Sequence, residues 1–274
     1  MNCVELVKIA IEEDLGSGDI TSIFFIPKNQ TGKAKIIVKE QAILSGLEPA
    51  NEVLHYFQLS SQWLRQNGDF LKPGETLLQL EGSLHALLAA ERTLLNFLQY
   101  LSGIATTTYH YVQKIAGTQA KILDTRKTLP GYRMLAKAAV LHGGGCNHRF
   151  GLYDQILVKD NHLAALKEDA SALAAAIHQI RREKPEIKIE MEADTLKQVA
   201  LFASLPIDLI LLDNMAPETL REAVKQVAGR CQTEASGGVT LETVRAIAET
   251  GVDFISVGAL THSVKAIDFS MEIL

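Results

Sequence analysis

Cysteine is scarce in this chain of 274 residues: Cys3, Cys146 and Cys231 are scattered and never stand at CxxC spacing. That argues against a disulfide framework or a cysteine zinc site and fits a reducing compartment, with the cytoplasm as the default. An excess of positive charge is missing too. At a formal net charge of −5, the chain has no surplus of cations for a broad nucleic-acid or membrane-binding face, so any anion site must be local. No apolar run reaches transmembrane length. The first twenty residues carry Glu12, Glu13, Asp14 and Asp19 without a basic segment and long apolar stretch, so no secretory leader is expected. Aromatic residues are few and Ala, Leu and Ile abundant, the composition of an α/β protein with one large barrel, or a barrel and a smaller domain.

The spacing of Val4, Leu6, Val7, Ile9, Ala10 and Ile11 predicts a helix over 2–13 that stops near Gly16 and Gly18. Residues 15–82 then read as a small antiparallel sheet. The β-branched segment 33–39 and the turn 68–75 running into 76–80 are its clearest strands. From Ser83 to about Ile115 the chain lacks proline and is rich in Leu and Ala, which predicts a long helix with a break near Gly103. His85, Arg92, Asn96 and Gln99 fall on one polar stripe of that helix, which could equally be a solvated face.

Beyond Ala120, short apolar strands (121–124, 155–159, 187–192, 208–213, 233–236 and 254–257) alternate with helices (131–142, 163–183, 195–204, 217–228 and 240–250). Repeated βα units imply parallel strands with right-handed crossovers, in a barrel or a doubly wound sheet. A barrel is preferred because Asp124, Lys159, Glu192, Asp213 and Ser236 stand at the strands' C-terminal ends, the rim where barrel enzymes assemble their sites.

The segment Asp124-Thr125-Arg126-Lys127-Thr128 therefore lies in a loop at the barrel mouth. Downstream, Gly143-Gly144-Gly145 leads into Asn147-His148-Arg149, and Lys159 ends the next strand beside Asp160, Asn161 and His162. Converging loops would gather Arg126, Lys127, His148, Arg149 and Lys159 into one cationic pocket, costly unless an anion completes it. Arginine forks suit carboxylates or phosphates. The competing reading pairs each cation with an acid such as Asp124, Asp154 or Asp160. Glu190 and Glu192 share one strand face and Asp213 ends the next strand; such acids hold a divalent ion, face developing positive charge, or pair with a rim cation. Ser236-Gly237-Gly238, expected to run into a helix near Thr240, and Ser256-Val257-Gly258 have the position of a barrel phosphate site. A Schiff base on Lys159 is the competing chemistry. A zinc site at His142, His148 and His162 matches no common ligand spacing.

Three strings carry a resemblance: Asp124-Thr125-Arg126-Lys127-Thr128-Leu129-Pro130-Gly131, then Gly143 to Leu152, then Lys159-Asp160-Asn161-His162. Together with 13–22, 91–96, 101–106, 212–214 and 257–263 they resemble the quinolinate phosphoribosyltransferase family (nicotinate-nucleotide pyrophosphorylase, carboxylating) over nearly the whole chain.

The resemblance implies an α/β fold in which an N-terminal α/β sandwich (1–115, rejoined by about 265–274) is followed by an incomplete parallel α/β barrel (116–264) carrying the active site. It implies transfer of phosphoribosyl from phosphoribosyl pyrophosphate to quinolinate, with magnesium, giving nicotinate mononucleotide, pyrophosphate and carbon dioxide. Arg126, His148, Arg149 and Lys159, with Thr125 beside them, would hold quinolinate, and Lys127 would sit between it and the phosphoribosyl group. Glu192 and Asp213 would face ribose and metal, directly or through water. Ser236, Gly237, Gly238, Ser256, Val257 and Gly258 would bind phosphate. Arg92 would enter the site of a second subunit, since the family is built from homodimers, in some members assembled further. Leu129 and Cys146 depart from the family pattern without removing a charge that the site needs.

Overall fold

The computed structural model describes residues 2–165 and 170–274. Two compact units emerge: Met1–Tyr109, Thr128–Gly144 and Leu260–Leu274 in one, His110–Lys127 and Gly145–Ala259 in the other.

The first unit begins with helix α1 (Cys3–Leu15), which is closed by a capping box: the Asn2 side chain accepts from the Glu5 N–H and Glu5 returns the bond. Helix α2 (Ile20–Phe25), strands β1 (Thr31–Val38) and β2 (Ala42–Ile43), helix α3 (Leu47–Tyr56), and strands β3 (Ser60–Trp63), β4 (Phe70–Leu71) and β5 (Thr76–Ser83) follow. A long helix, α4 (Leu84–Lys114), comes next. It does not break at Gly103 as expected. A methyl group there would collide with the Lys265 carbonyl, so the glycine serves a close approach of two backbones. Along the polar stripe of α4, His85 bonds to the Ile26 carbonyl at 3.0 Å and Gln99 to that of Phe269 at 3.0 Å, while Arg92 and Asn96 are exposed. The antiparallel sheet has the order β12-β1-β5-β3 and β2 pairs with β4. Strand β12 (Phe269–Ile273) comes from the chain's end and runs antiparallel to β1, Ile36 opposite Met271.

In the second unit β6 (Lys121–Leu123), β7 (Ile156–Val158), β8 (Ile189–Ala193), β9 (Leu209–Asp213), β10 (Gln232–Ser236) and β11 (Phe254–Ser256) form one parallel sheet. Its order, β6-β11-β10-β9-β8-β7, steps round in sequence from β7 to β11 and returns to β6. That single direction of winding belongs to a barrel, since a doubly wound sheet reverses its order midway. Strands β6 and β7 share no ladder, so the barrel is incomplete, and Cys146 makes an isolated parallel bridge to Leu123.

The remaining helices are α5 (Arg133–His142), α6 (Asp160–Ala165), α7 (Ala170–Glu183), α8 (Leu196–Phe202), α9 (Pro217–Val227), α10 (Val244–Ala248) and α11 (Ala259–His262). The expected helix over 163–183 falls partly on residues 166–169, outside the described residues. The chain does not divide once near residue 115, and α5, expected in the barrel, groups with the first unit. The cause is a pair of long-range contacts: His142 Nδ1 lies 2.8 Å from the Ser45 hydroxyl, and Gly143 packs so closely on α4 that a methyl group would collide with the Ala105 carbonyl.

Candidate active site

The sheet alternation that sends every second side chain inward builds the site from pairs two residues apart: Leu157 and Lys159, Glu190 and Glu192, Leu211 and Asp213, Glu234 and Ser236. With Thr125, Arg126, Lys127, His148, Arg149, Asn214, Gly237, Gly238 and Ser256, all but Glu190 line one cavity of about 570 Å³ in the second unit. Thus the cationic loops and the carboxylates do converge. Of the phosphate candidates, Val257 and Gly258 are not among the lining residues. Val257 is buried and its N–H is bonded to the Leu123 carbonyl at 3.0 Å. Arg92 belongs to the first unit, where it is exposed and has no hydrogen bond or ion pair among the described residues.

Loop 145–155 is held from below. Asp124, fully buried at the end of β6, accepts the His148 backbone N–H at 2.9 Å. Asp154 accepts those of Phe150 and Gly151, at 2.6 and 2.8 Å. These acids therefore fold the loop as well as offset charge. Arg149 is buried, with Nη1 donating to the Gln155 carbonyl at 3.2 Å. Burial, then the nearby Arg126 cation, holds its pKa below the ordinary arginine value, with Glu190 and Asp154 opposing. A guanidinium so desolvated is poised for an anion.

His148 was expected as a cation. The geometry adds a structural part: the Arg149 backbone N–H points at its Nδ1 at 2.6 Å, and its Nε2 lies 3.1 Å from Glu190 Oε2 and 3.5 Å from Glu234 Oε2. Both ring nitrogens are thereby engaged within the protein. Lys159 Nζ lies 3.5 Å from Glu192 Oε2. Burial, then proximity to Asp213, raises the Glu192 carboxyl pKa, while Lys159 opposes the shift. Ligand-capable oxygens of Glu192, Asp194 and Asp213 lie within 4.8 Å of one another, hard donors of the kind Mg²⁺ takes.

The loop after β10 is shaped by Asn214. This residue adopts φ 52°, and its amide donates to Asp213 Oδ2 at 2.7 Å. Gly237, at φ 95°, has no room for a side chain because a Cβ would strike the Asn214 amide. The expected helix at Thr240 starts only at Val244 and spans five residues; residues 240–243 instead form a turn tied by reciprocal Thr240 and Thr243 bonds. The loop after β10 therefore presents Ser236 and two glycines to the cavity rather than a helix end. Sequence reasoning assigned no role to Asn214, Asp194, Gln155 or Glu234. Asn214 had a signal in its type, since Asn tolerates positive φ, whereas Glu234 had only its place on the inner face of a strand.

Family models for the N-terminal and C-terminal domains of quinolinate phosphoribosyl transferase match residues 19–102 and 104–272. The chain is 42% identical over 282 residues to a probable nicotinate-nucleotide pyrophosphorylase [carboxylating] of Bacillus subtilis, covering 100% of this chain and 95% of the relative. It is 41% identical over 286 residues to the chloroplastic enzyme of that name in Arabidopsis thaliana, covering 98% and 82%. The solved nicotinate-nucleotide pyrophosphorylase of Francisella tularensis superposes with a TM-score of 0.93 at 36% identity, over 99% of this chain and 96% of that one.

Proposed function

The chain belongs to the quinolinate phosphoribosyltransferase family, and from that premise we propose that it converts quinolinate and phosphoribosyl pyrophosphate into nicotinate mononucleotide, pyrophosphate and carbon dioxide, a step of NAD biosynthesis. The observation that carries the reading is the buried Arg149 guanidinium in a cavity whose cationic wall of Arg126, Lys127 and Lys159 meets Glu192 and Asp213 at the Lys159–Glu192 pair. A ligand with two adjacent carboxylates supplies the charge that this wall lacks, and one with a developing sugar cation suits the acidic wall.

In this reading Arg149, Arg126 and Lys159 grip the two carboxylates, and Thr125 closes the edge of that subsite. Lys159 exchanges its pairing with Glu192 for substrate. His148, with both nitrogens engaged, acts by fixing the Arg149 backbone. Orientation turns the pyridine nitrogen toward the anomeric carbon. The nitrogen forms the new bond as the bond to pyrophosphate breaks; Glu192 and Asp213 stabilise the positive charge on the ribose and Lys127 that leaving on the pyrophosphate. Ser236, Gly237 and Gly238 receive phosphate. Mg²⁺, held by Glu192 and Asp213 directly or through water, would neutralise pyrophosphate charge. The quaternised nitrogen then accepts electron density as the adjacent carboxylate departs as carbon dioxide, and the ring carbon takes up a proton. No protein nucleophile is needed, which sets this reading apart from a Schiff base on Lys159.

A homodimer in which Arg92 completes the partner's site is part of the proposal, supported by the exposed, unengaged guanidinium. Among the described residues no helix is long and apolar enough to cross a membrane; with three free cysteines, the reading places the enzyme in the cytoplasm. The test is product formation by the purified chain with phosphoribosyl pyrophosphate and Mg²⁺, comparing quinolinate with nicotinate. Nicotinate mononucleotide from quinolinate alone is expected; equal use of nicotinate would count against the two-carboxylate subsite.

A further inference from the structure

At the cavity wall formed by Glu234, and just behind it at Glu190, lies a second carboxyl pair that the mechanism above does not use. Glu190 on β8 and Glu234 on β10 are both fully buried. Ligand-capable atoms of His148, Glu190 and Glu234 all lie within 4.8 Å of one another. Two carboxylates so close and so dry cannot both remain charged without compensation.

The hydrogen bonds show where the compensation is incomplete. Glu190 Oε2 accepts from His148 Nε2 at 3.1 Å and from the Gln155 amide at 2.7 Å. Glu234 Oε1 accepts from the Ser256 hydroxyl. The other oxygen of each, Glu190 Oε1 and Glu234 Oε2, is buried without a hydrogen-bond partner. His148 Nε2 stands between the two carboxyls, 3.1 Å from Glu190 Oε2 and 3.5 Å from Glu234 Oε2; one ring N–H cannot satisfy both, and a proton held between the carboxyls would.

We infer that Glu234 is a protonated carboxylic acid in the working enzyme, donating to Glu190, and that this shared proton is a positioning device for the quinolinate-binding arginine. Glu190, with two N–H donors, is the better-stabilised carboxylate; Glu234, with one hydroxyl donor, is the member that keeps the proton. Burial first, then the charge of Glu190, raises the Glu234 pKa, with His148 and Ser256 opposing. The path to substrate is short. Glu190 orients His148 and Gln155; His148 Nδ1 fixes the Arg149 backbone N–H, and the Gln155 carbonyl receives the Arg149 guanidinium. Removing the proton would leave a second buried charge competing for that guanidinium. This inference rests on the proposed reaction only for its kinetic consequence; the proton itself does not depend on it.

The groups facing Glu234 are Glu190 from β8, His148 from loop 145–155, with Arg149 beyond it, and Ser256 from β11. Losing the proton as pH rises should therefore raise the KM for quinolinate while kcat changes less. Glu234→Gln carries a permanent donor in place of the acid and should abolish that rise. Glu234→Ala should raise KM about tenfold throughout, the scale of one unsatisfied buried polar group, and rescue by Gln separates positioning from mere packing. Carboxyl-carbon NMR of protein labelled at glutamate, with Glu234 assigned from its loss in Glu234→Gln, should show a protonated carboxyl at neutral pH. A Glu234 resonance in the carboxylate position, or a Gln variant as impaired as the Ala variant, would overturn the inference. If the wild-type protein does not turn over quinolinate, the reaction fails as a reading and the NMR still decides the proton.

Discussion

Arg149 stands where the substrate subsite, the folded loop and the buried carboxyls meet. It is buried, it donates to the Gln155 carbonyl, and its backbone N–H points at His148 Nδ1. Replacing it with Ala removes a charge-assisted, two-pronged contact of about 1.5–3 kcal/mol, so kcat/KM for quinolinate should fall at least about tenfold in a protein that still folds. Arg149→Lys should restore little of it, because a point charge cannot reproduce the fork. Unchanged steady-state kinetics in either folded variant would remove Arg149 from the site. At this scale the sequence was legible where charge clusters in short loops: Thr125, Arg126, Lys127, Arg149 and Lys159 all reach the cavity. It was less legible where a role depends on hydrogen bonding. His148 reads only as a charge until its ring contacts with the Arg149 N–H, Glu190 and Glu234 are seen, and nothing in the sequence separates Glu234 from an ordinary inward strand residue.

At the scale of elements, period-two strands and long periodic helices were readable because each strand of the barrel must bury apolar side chains on both faces while its last inward residue reaches the rim. Helices α2 and α3, inside the segment 15–82 expected as sheet, were not, and neither were three boundaries. The helix expected at Thr240 begins at Val244, since the threonines tie a turn first. Helix α4 runs through Gly103, and α5 groups with the first unit; in both cases a glycine that reads locally as a break or loop is a place where two backbones meet. Such meetings are long-range and leave no periodic trace. The close approach at Gly103 predicts that Gly103→Ala loses roughly 1–3 kcal/mol of stability through overpacking, despite the better helix propensity of alanine. Thermal unfolding should show a lower Tm; a raised Tm would mean that propensity outweighs the contact with Lys265.

At the scale of the whole molecule, a net charge of −5 coexists with a cationic cavity, so the site's charge is a local construction rather than a general property of the surface. Arg92, exposed on the first unit, is proposed to complete a neighbouring subunit's site. Arg92→Ala and Arg149→Ala should each be nearly inactive alone, and mixed dimers of the two should regain up to about a quarter of wild-type activity per dimer in statistical mixtures, since some dimers then contain one intact site. Verified mixed dimers without recovery would place Arg92 outside the shared site.

The account's central claim is that the cationic wall binds quinolinate so that the carboxylate beside the ring nitrogen is lost once that nitrogen is quaternised. Quinolinate labelled at its 2-carboxylate tests it most directly, in reaction with phosphoribosyl pyrophosphate and Mg²⁺ under single-turnover conditions. Label released as carbon dioxide in equal amount to nicotinate mononucleotide is the predicted result. Label retained in the nucleotide, or no nucleotide formed, would contradict it.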